Sequence, residues 1–248
     1  MMMSFASRSA LEDCLWRDFV GSTPHAARVH ELLVARGELV HHDHLALRTF
    51  ATPELGMDAL GRRFEAHGFQ PRERYRFDEA HLRARYWQHD DPNAPKVFIV
   101  ELELDGLSPG ARAIVDALLA QVPPDLADRP DLPCAGRPWT PSYADYQALL
   151  AESEHAARTA ALGIGVDRAT LDAGALITFP DLEALAAYLA EHAFRVDVRT
   201  GRAAIRPEPI AVRFSDATAR IPSGAYEIVA RRVPRPRAAR DYAVSVAK

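Results

Sequence analysis

Cysteine is nearly missing from this chain. The two present, Cys14 and Cys134, are far apart and belong to no Cys-x-x-Cys, which points to reduced thiols in a cytoplasmic protein rather than a secreted disulfide framework. Long apolar runs are also missing. None approaches the roughly 18 residues of a membrane span, and Met1-Met-Met-Ser-Phe-Ala lacks the charged start and apolar stretch of a secretory leader. Basic charge is in deficit, with 30 Lys and Arg against 34 Asp and Glu and a net charge of −4. No basic block stands out, so neither a nucleic-acid nor a membrane partner is expected. The remainder, 48% hydrophobic and 26% charged, is enough to build one large core or two small ones.

Proline is unevenly spread. Six fall between Pro123 and Pro141, and because proline removes a backbone donor and disfavours helix before it, this stretch should be irregular. It divides the chain into a helical segment 1–40, a first module with a following helix at 41–122, the linker 123–141, and a helix, second module and tail at 142–248. The Arg/Pro-rich run Arg231–Arg237 is expected to be a solvated surface connection. In the first segment Leu11, Leu15 and Phe19 repeat at helical spacing, Thr23-Pro24 is a helix start, and Gly37 a stop. The period then changes to two. His42, His44, Ala46, Arg48 and Phe50 share one strand face, a helix follows near Gly56–His67, and strands are expected near Arg72–Phe77, Leu82–Trp87 and Val97–Leu104. The second half repeats this order after one long helix at Ser142–Ala161. A strand is expected at Gly165–Leu171, a helix at Asp181–Glu191, and strands near Phe194–Val198, Ala203–Ile205, Ile210–Phe214 and Tyr226–Arg232. Phe64-Glu-Ala-His67-Gly-Phe69 matches Leu189-Ala-Glu-His192-Ala-Phe194 at a separation of 125 residues. Near that separation the strand around His44 falls on Arg168, and Glu101 falls on Glu227. The fold expected is α+β, with two βαβββ modules forming one curved sheet and extra N-terminal and linking helices.

Polar residues on these strands are the candidates for chemistry. His44 and Arg48 lie on one strand face, and burying both requires either an acidic ligand, held by His through a metal and by Arg directly, or a structural salt bridge. Glu227, in a run of apolar residues, needs a cation or a proton-donating partner if buried, and Glu101 has the same appearance. A histidine pair with one carboxylate on facing strands is a known way to hold ferrous iron with open positions.

The motif Asp43-His44-Leu-Ala-Leu-Arg48-Thr-Phe50 resembles the D-H-[IL]-A-[FL]-R-T-F motif of the 2-oxoadipate dioxygenase/decarboxylase family, within the vicinal oxygen chelate superfamily. Leu82-Arg-Ala-Arg-Tyr86, Pro95–Ile99 with Glu101, Tyr146–Glu154, and Phe214-Ser-Asp through Ile221-Pro-Ser to Tyr226-Glu-Ile-Val-Ala-Arg231 are similar to further family motifs. The resemblance implies paired βαβββ modules around Fe²⁺, with a small 2-oxo acid and O₂ as partners. The family reaction converts 2-oxoadipate to 2-hydroxyglutarate with loss of CO₂, in lysine breakdown. By position, His44 and Glu227 would be metal ligands and Arg48 would bind the substrate carboxylate, with His44 and Arg168 beside it. The family's second histidine ligand, in an Asn-His-[FL]-Thr motif, falls on Arg168 within Val166-Asp-Arg-Ala-Thr170. A guanidinium offers a metal no lone pair, and it could pair with Glu227 instead. Three substitutes are conceivable: Asp167 turned inward by a bulge, Glu101, or His155 from the preceding helix. Three functional readings follow: an iron-dependent dioxygenase/decarboxylase, a metal-free and inactive binder of a small acidic metabolite, and a glyoxalase-like metal isomerase or lyase.

Overall fold

The structure is a computed structural model that describes residues 7–230, so the Arg231–Arg237 run lies outside the described residues. Two helices open the chain. In α1 (Arg8–Ser22), Ser7 caps the first turn and Leu11, Leu15 and Phe19 are buried. In α2 (Pro24–Ala35), proline occupies the first turn and Ala26, Val29 and Leu33 face inward, as the spacing predicts.

The first module is β1 (His42–Phe50), α3 (Met57–Glu65), β2 (Gln70–Phe77), β3 (Leu82–Gln88) and β4 (Lys96–Leu102). The joining region holds α4 (Pro109–Leu119), 3-10 turns at Leu126–Asp128 and Leu132–Cys134, and then α5 (Tyr143–Leu150) and α6 (Glu154–Leu162). The second module is β5 (Gly165–Asp172), α7 (Leu182–Glu191), β6 (Val196–Arg199), β7 (Arg202–Ile205), β8 (Pro209–Arg213), β9 (Thr218–Pro222) and β10 (Ala225–Val229). Eight strands form one large curved sheet in the order β2-β3-β4-β1-β5-β10-β7-β6. The order reads the same in module terms from either edge, with the first strands β1 and β5 joined antiparallel at the centre. Each first strand also pairs in parallel with the last strand of its own module.

The central position of β1 buries it on both faces, so its polar residues must find partners inside the protein, whereas the outermost β2, Gln-Pro-Arg-Glu-Arg-Tyr-Arg-Phe, is mostly exposed and its charges discourage pairing with another edge. One face of the first module is closed by α3, whose Gly61 admits the Trp87 ring: a Cβ there would sit 2.2 Å from the indole. Among the described residues no helix is long and apolar enough to cross a membrane.

Two expectations need correction. The single helix expected over Ser142–Ala161 is two helices: the first ends at Leu150, and Ser153 caps the second, its hydroxyl accepting from the Ala156 amide. A capping box of Ser142 and Asp145 starts α5. The run Ile210–Phe214 does not join the main sheet. It pairs with β9 as a separate hairpin whose open end sets Pro209 opposite Pro222, and two residues without N–H groups cannot carry the ladder further.

Candidate functional site

The site is built on one face of the four central strands. On β1 the partner of His42 is Leu171, while the partner of His44 is Thr170. Asp43 is therefore an extra residue, a β-bulge that frees it from strict alternation. Its carboxylate turns to its neighbour, with Oδ2 3.0 Å from His44 Nδ1. With Nδ1–H donating to Asp43, His44 Nε2 accepts from the Thr170 hydroxyl 3.0 Å away. All three residues are buried. Phe98 of β4 meets the imidazole edge-on at 5.5 Å, and Tyr86 of β3 stacks on Phe98.

On the second-module side, β10 aligns Glu227 with Thr170 and Ala225 with Arg168. His44, Thr170 and Glu227 thus form one row across β1, β5 and β10, and Arg168 lies one step along the same face, opposite Ala46 of β1. The alanines on both sides leave room for its long side chain, and its Nη1 donates to Glu227 Oε1 in an ion pair. The other Glu227 oxygen lies 3.5 Å from Nη1 of Arg202 on β7. The fold therefore brings His44, Arg168 and Glu227 onto one face, with Thr170 and Arg202 beside them. Neither Thr170 nor Arg202 stood out in the sequence. Strand alternation from Arg168 could have found the former, but the latter depends on the β7–β10 register.

Arg48 is on β1 but not free to meet a substrate. Beyond Ala46 the register with β5 shifts again, making Asp167 the extra residue. The bulge turns Asp167 inward, towards Arg48 Nη1 at 3.0 Å and the Arg158 guanidinium of α6, not towards His44. Arg48 also donates to the Val166 carbonyl and is only 3% exposed. Burial by itself would raise the Asp167 carboxyl, but Arg158 and Arg48 outweigh it and hold the group well below the usual carboxylate range. The buried ion pair, the second of the two options the sequence left open, is the one present.

The remaining two substitutes lie elsewhere. Glu101 pairs with Thr49, so it occupies the opposite face of the sheet, where it binds Arg83 at 2.7 Å and accepts from the Met57 amide at the start of α3. The equation of Glu101 with Glu227 is out of register. Phe98 pairs with Ala46 as Glu227 pairs with Thr170, so Phe98 is the true counterpart, and a three-residue slip reverses the face. His155 places Nε2 3.3 Å from the Thr49 carbonyl, beyond Arg48, and burial pushes its pKa down to about 4.

The family metal can be tested against these donors. A three-ligand iron site needs three lone-pair donors turned to one point. The face offers two, His44 and Glu227. The Nε2 lone pair of His44 takes the Thr170 proton, and Glu227 is committed to guanidinium groups. Arg168 stands third and can only donate. Among the described residues no group of three His, Cys, Asp or Glu could hold a metal ion. The residues present do not fit the metal.

Three comparisons bear on ancestry. The family model for 2-oxoadipate dioxygenase/decarboxylase matches residues 20–127. A solved protein from Shewanella frigidimarina, given as a supposed hydrolase, is 32% identical with a TM-score of 0.86, covering 95% of this chain and 96% of its own. The chloroplastic/amyloplastic 2-oxoadipate dioxygenase/decarboxylase of Oryza sativa subsp. japonica is 26% identical over 215 residues, which is 77% of this chain and 56% of the rice protein. This chain spans about half the length of the curated relatives it matches. In fold, it is similar to the Oryza sativa hydroxyglutarate synthase solved in complex with 2-oxoadipate, at 23% identity and a TM-score of 0.78, over 93% of this chain and 83% of that one.

Proposed function

We propose that the chain, whose residues 20–127 match the family model for 2-oxoadipate dioxygenase/decarboxylase, binds a small 2-oxo acid on the same sheet face, holding the carboxylate through Arg168 and Arg202 in place of a metal. The observation that carries this reading is the Arg168–Glu227 ion pair at the position where the family resemblance puts a metal and its ligands. Two guanidinium groups lie on one carboxylate there. Arg168 and Arg202 are partly exposed, at 19% and 29%, so an incoming carboxylate can reach both. A planar guanidinium matches a carboxylate through two parallel hydrogen bonds. Glu227 competes for the same donors, and the Thr170 hydroxyl can turn from His44 to a keto oxygen. The family's oxidative decarboxylation of 2-oxoadipate would need iron, which this donor set does not accommodate.

Calorimetric titration with 2-oxoadipate in the presence of a chelator tests the proposal. Wild type should bind. Arg168→Ala should abolish binding, and Glu227→Gln, by releasing Arg168, should tighten it roughly tenfold. Unchanged affinity in Arg168→Ala would overturn the reading. So would wild-type protein that takes up about one equivalent of ferrous iron and consumes O₂ with 2-oxoadipate.

A further inference from the structure

Three buried side chains of the site form a hydrogen-bonded series. The Asp43 carboxylate takes the Nδ1–H of His44 at 3.0 Å, and Nε2 of the same ring takes the Thr170 hydroxyl at 3.0 Å. A carboxylate that orients an imidazole, whose other nitrogen faces a proton donor, is the arrangement of a general base. Phe98 packs edge-on against the ring at 5.5 Å and helps to fix its plane. The binding reading above makes no use of the imidazole. Building on that reading, we propose that His44 is a general base that removes a proton from C3 of the bound 2-oxo acid, so that the site interconverts its keto and enol forms without a metal.

Thr170 couples binding to the base. When its hydroxyl turns to the keto oxygen, the carbonyl is polarised and Nε2 gives up the proton donor it held. Hydrogens on C3 are the ones this activates, because the electron pair they leave is conjugated with the carbonyl. The C3–H bond breaks and its pair becomes the C2=C3 double bond. The carbonyl pair moves onto oxygen, which the Thr170 hydroxyl holds by a hydrogen bond, and the proton passes to Nε2. Asp43 acts as a positioning residue, its carboxylate opposing the charge that the ring acquires. Arg168 and Arg202 keep the acid group in place. Return of a proton to C3 restores the acid, so no oxidant or second substrate is consumed. The substrate class is therefore a 2-oxo acid with at least one hydrogen on C3.

Proton NMR of 2-oxoadipate in deuterium oxide, with the full chain and a chelator, provides the test. The C3 signal should fade at least about tenfold faster than in a protein-free blank, while the C4 and C5 signals persist. A base fixed on one side of the molecule should remove one C3 hydrogen before the other, giving a monodeuterated acid of one configuration. His44→Gln should return exchange to the blank rate, and Asp43→Asn should slow it by roughly tenfold or more. In both variants the calorimetric affinity for 2-oxoadipate should change by less than about threefold, whereas a merely structural role would lower rate and affinity together. Exchange at the blank rate in wild-type protein that binds 2-oxoadipate would overturn the proposal and leave the binding reading standing. Exchange that survives in His44→Gln would overturn it as well, and absence of binding would overturn both.

Discussion

The two modules follow one plan but place different chemistry at the same address. Each first strand carries an Asp at a bulge, followed by a nitrogen-bearing side chain: Asp43-His44 on β1 and Asp167-Arg168 on β5. In the first module the aspartate serves its neighbour, orienting the His44 ring. In the second, Asp167 is drawn away by Arg48 and Arg158, and Arg168 turns to Glu227. The last strands differ as well, since the Glu227 position is Phe98 in the first module. A bulge releases a side chain from alternation, but the charges opposite determine where it goes.

The strongest way to break this difference is to make the modules alike. Arg168→His should create a third lone-pair donor beside His44 and Glu227, taking ferrous or cobaltous binding from negligible to about one equivalent by metal analysis. If the variant stays metal-free, Arg168 does not stand where the family histidine does. The two bulge aspartates should then separate in denaturant unfolding. Asp167→Asn removes the carboxylate shared by the buried Arg48 and the partly buried Arg158 and should cost about 3 kcal/mol. Asp43→Asn keeps a hydrogen-bonding side chain next to the His44 imidazole and should cost about 1 kcal/mol. Equal losses would mean that the modules are held in the same way.

Acid should loosen the molecule in two stages. His25 of α2 is fully buried against Ser223, just before β10, at 3.4 Å, and burial brings its pKa down to about 4. The unfolded chain takes up that proton first, so stability should fall by on the order of 2 kcal/mol as pH drops from about 6.5 to 4. His25→Leu should make this arm shallower without removing it, because burial also brings His155 and His42 down to about 4. Asp167 behaves differently because its folded pKa is depressed. Its contribution is present above the unfolded value of about 4 and is lost only as pH falls below it, and Asp167→Asn should remove that second arm. The smallest effect concerns the helices. Gly61→Ala gains helix propensity but drives a methyl into Trp87, for a net loss of about 1–2 kcal/mol. At Ala186 of α7, a position that tolerates a methyl, change to Gly should cost only about 1 kcal/mol. Thermal unfolding distinguishes the pair.

The order of elements was legible because hydrophobic period changes mark it: helical spacing through Leu11, Leu15 and Phe19, then alternation from His42 onward. His44 and Glu227 could be named as candidates because each is a polar residue in an apolar strand. Arg168 was legible only through the family motif. What escaped depends on register. No local signal distinguishes Glu101, which belongs to the opposite face with Thr49, from Glu227. The bulge at Asp43 escaped, and the one raised at Asp167 could not be aimed, because both arise from pairing between strands more than a hundred residues apart. Arg48 was assigned to substrate because the partners that enclose it, Asp167 and Arg158, come from the second half of the chain.

The antiparallel join between β1 and β5 means that the connecting peptide is not what keeps the halves together. A protease cut within the proline-rich stretch should leave a nicked molecule that still migrates as one body, clasped by a backbone ladder. Either half produced alone would bare a long, unpaired strand margin, and its natural remedy is to close upon another copy of itself.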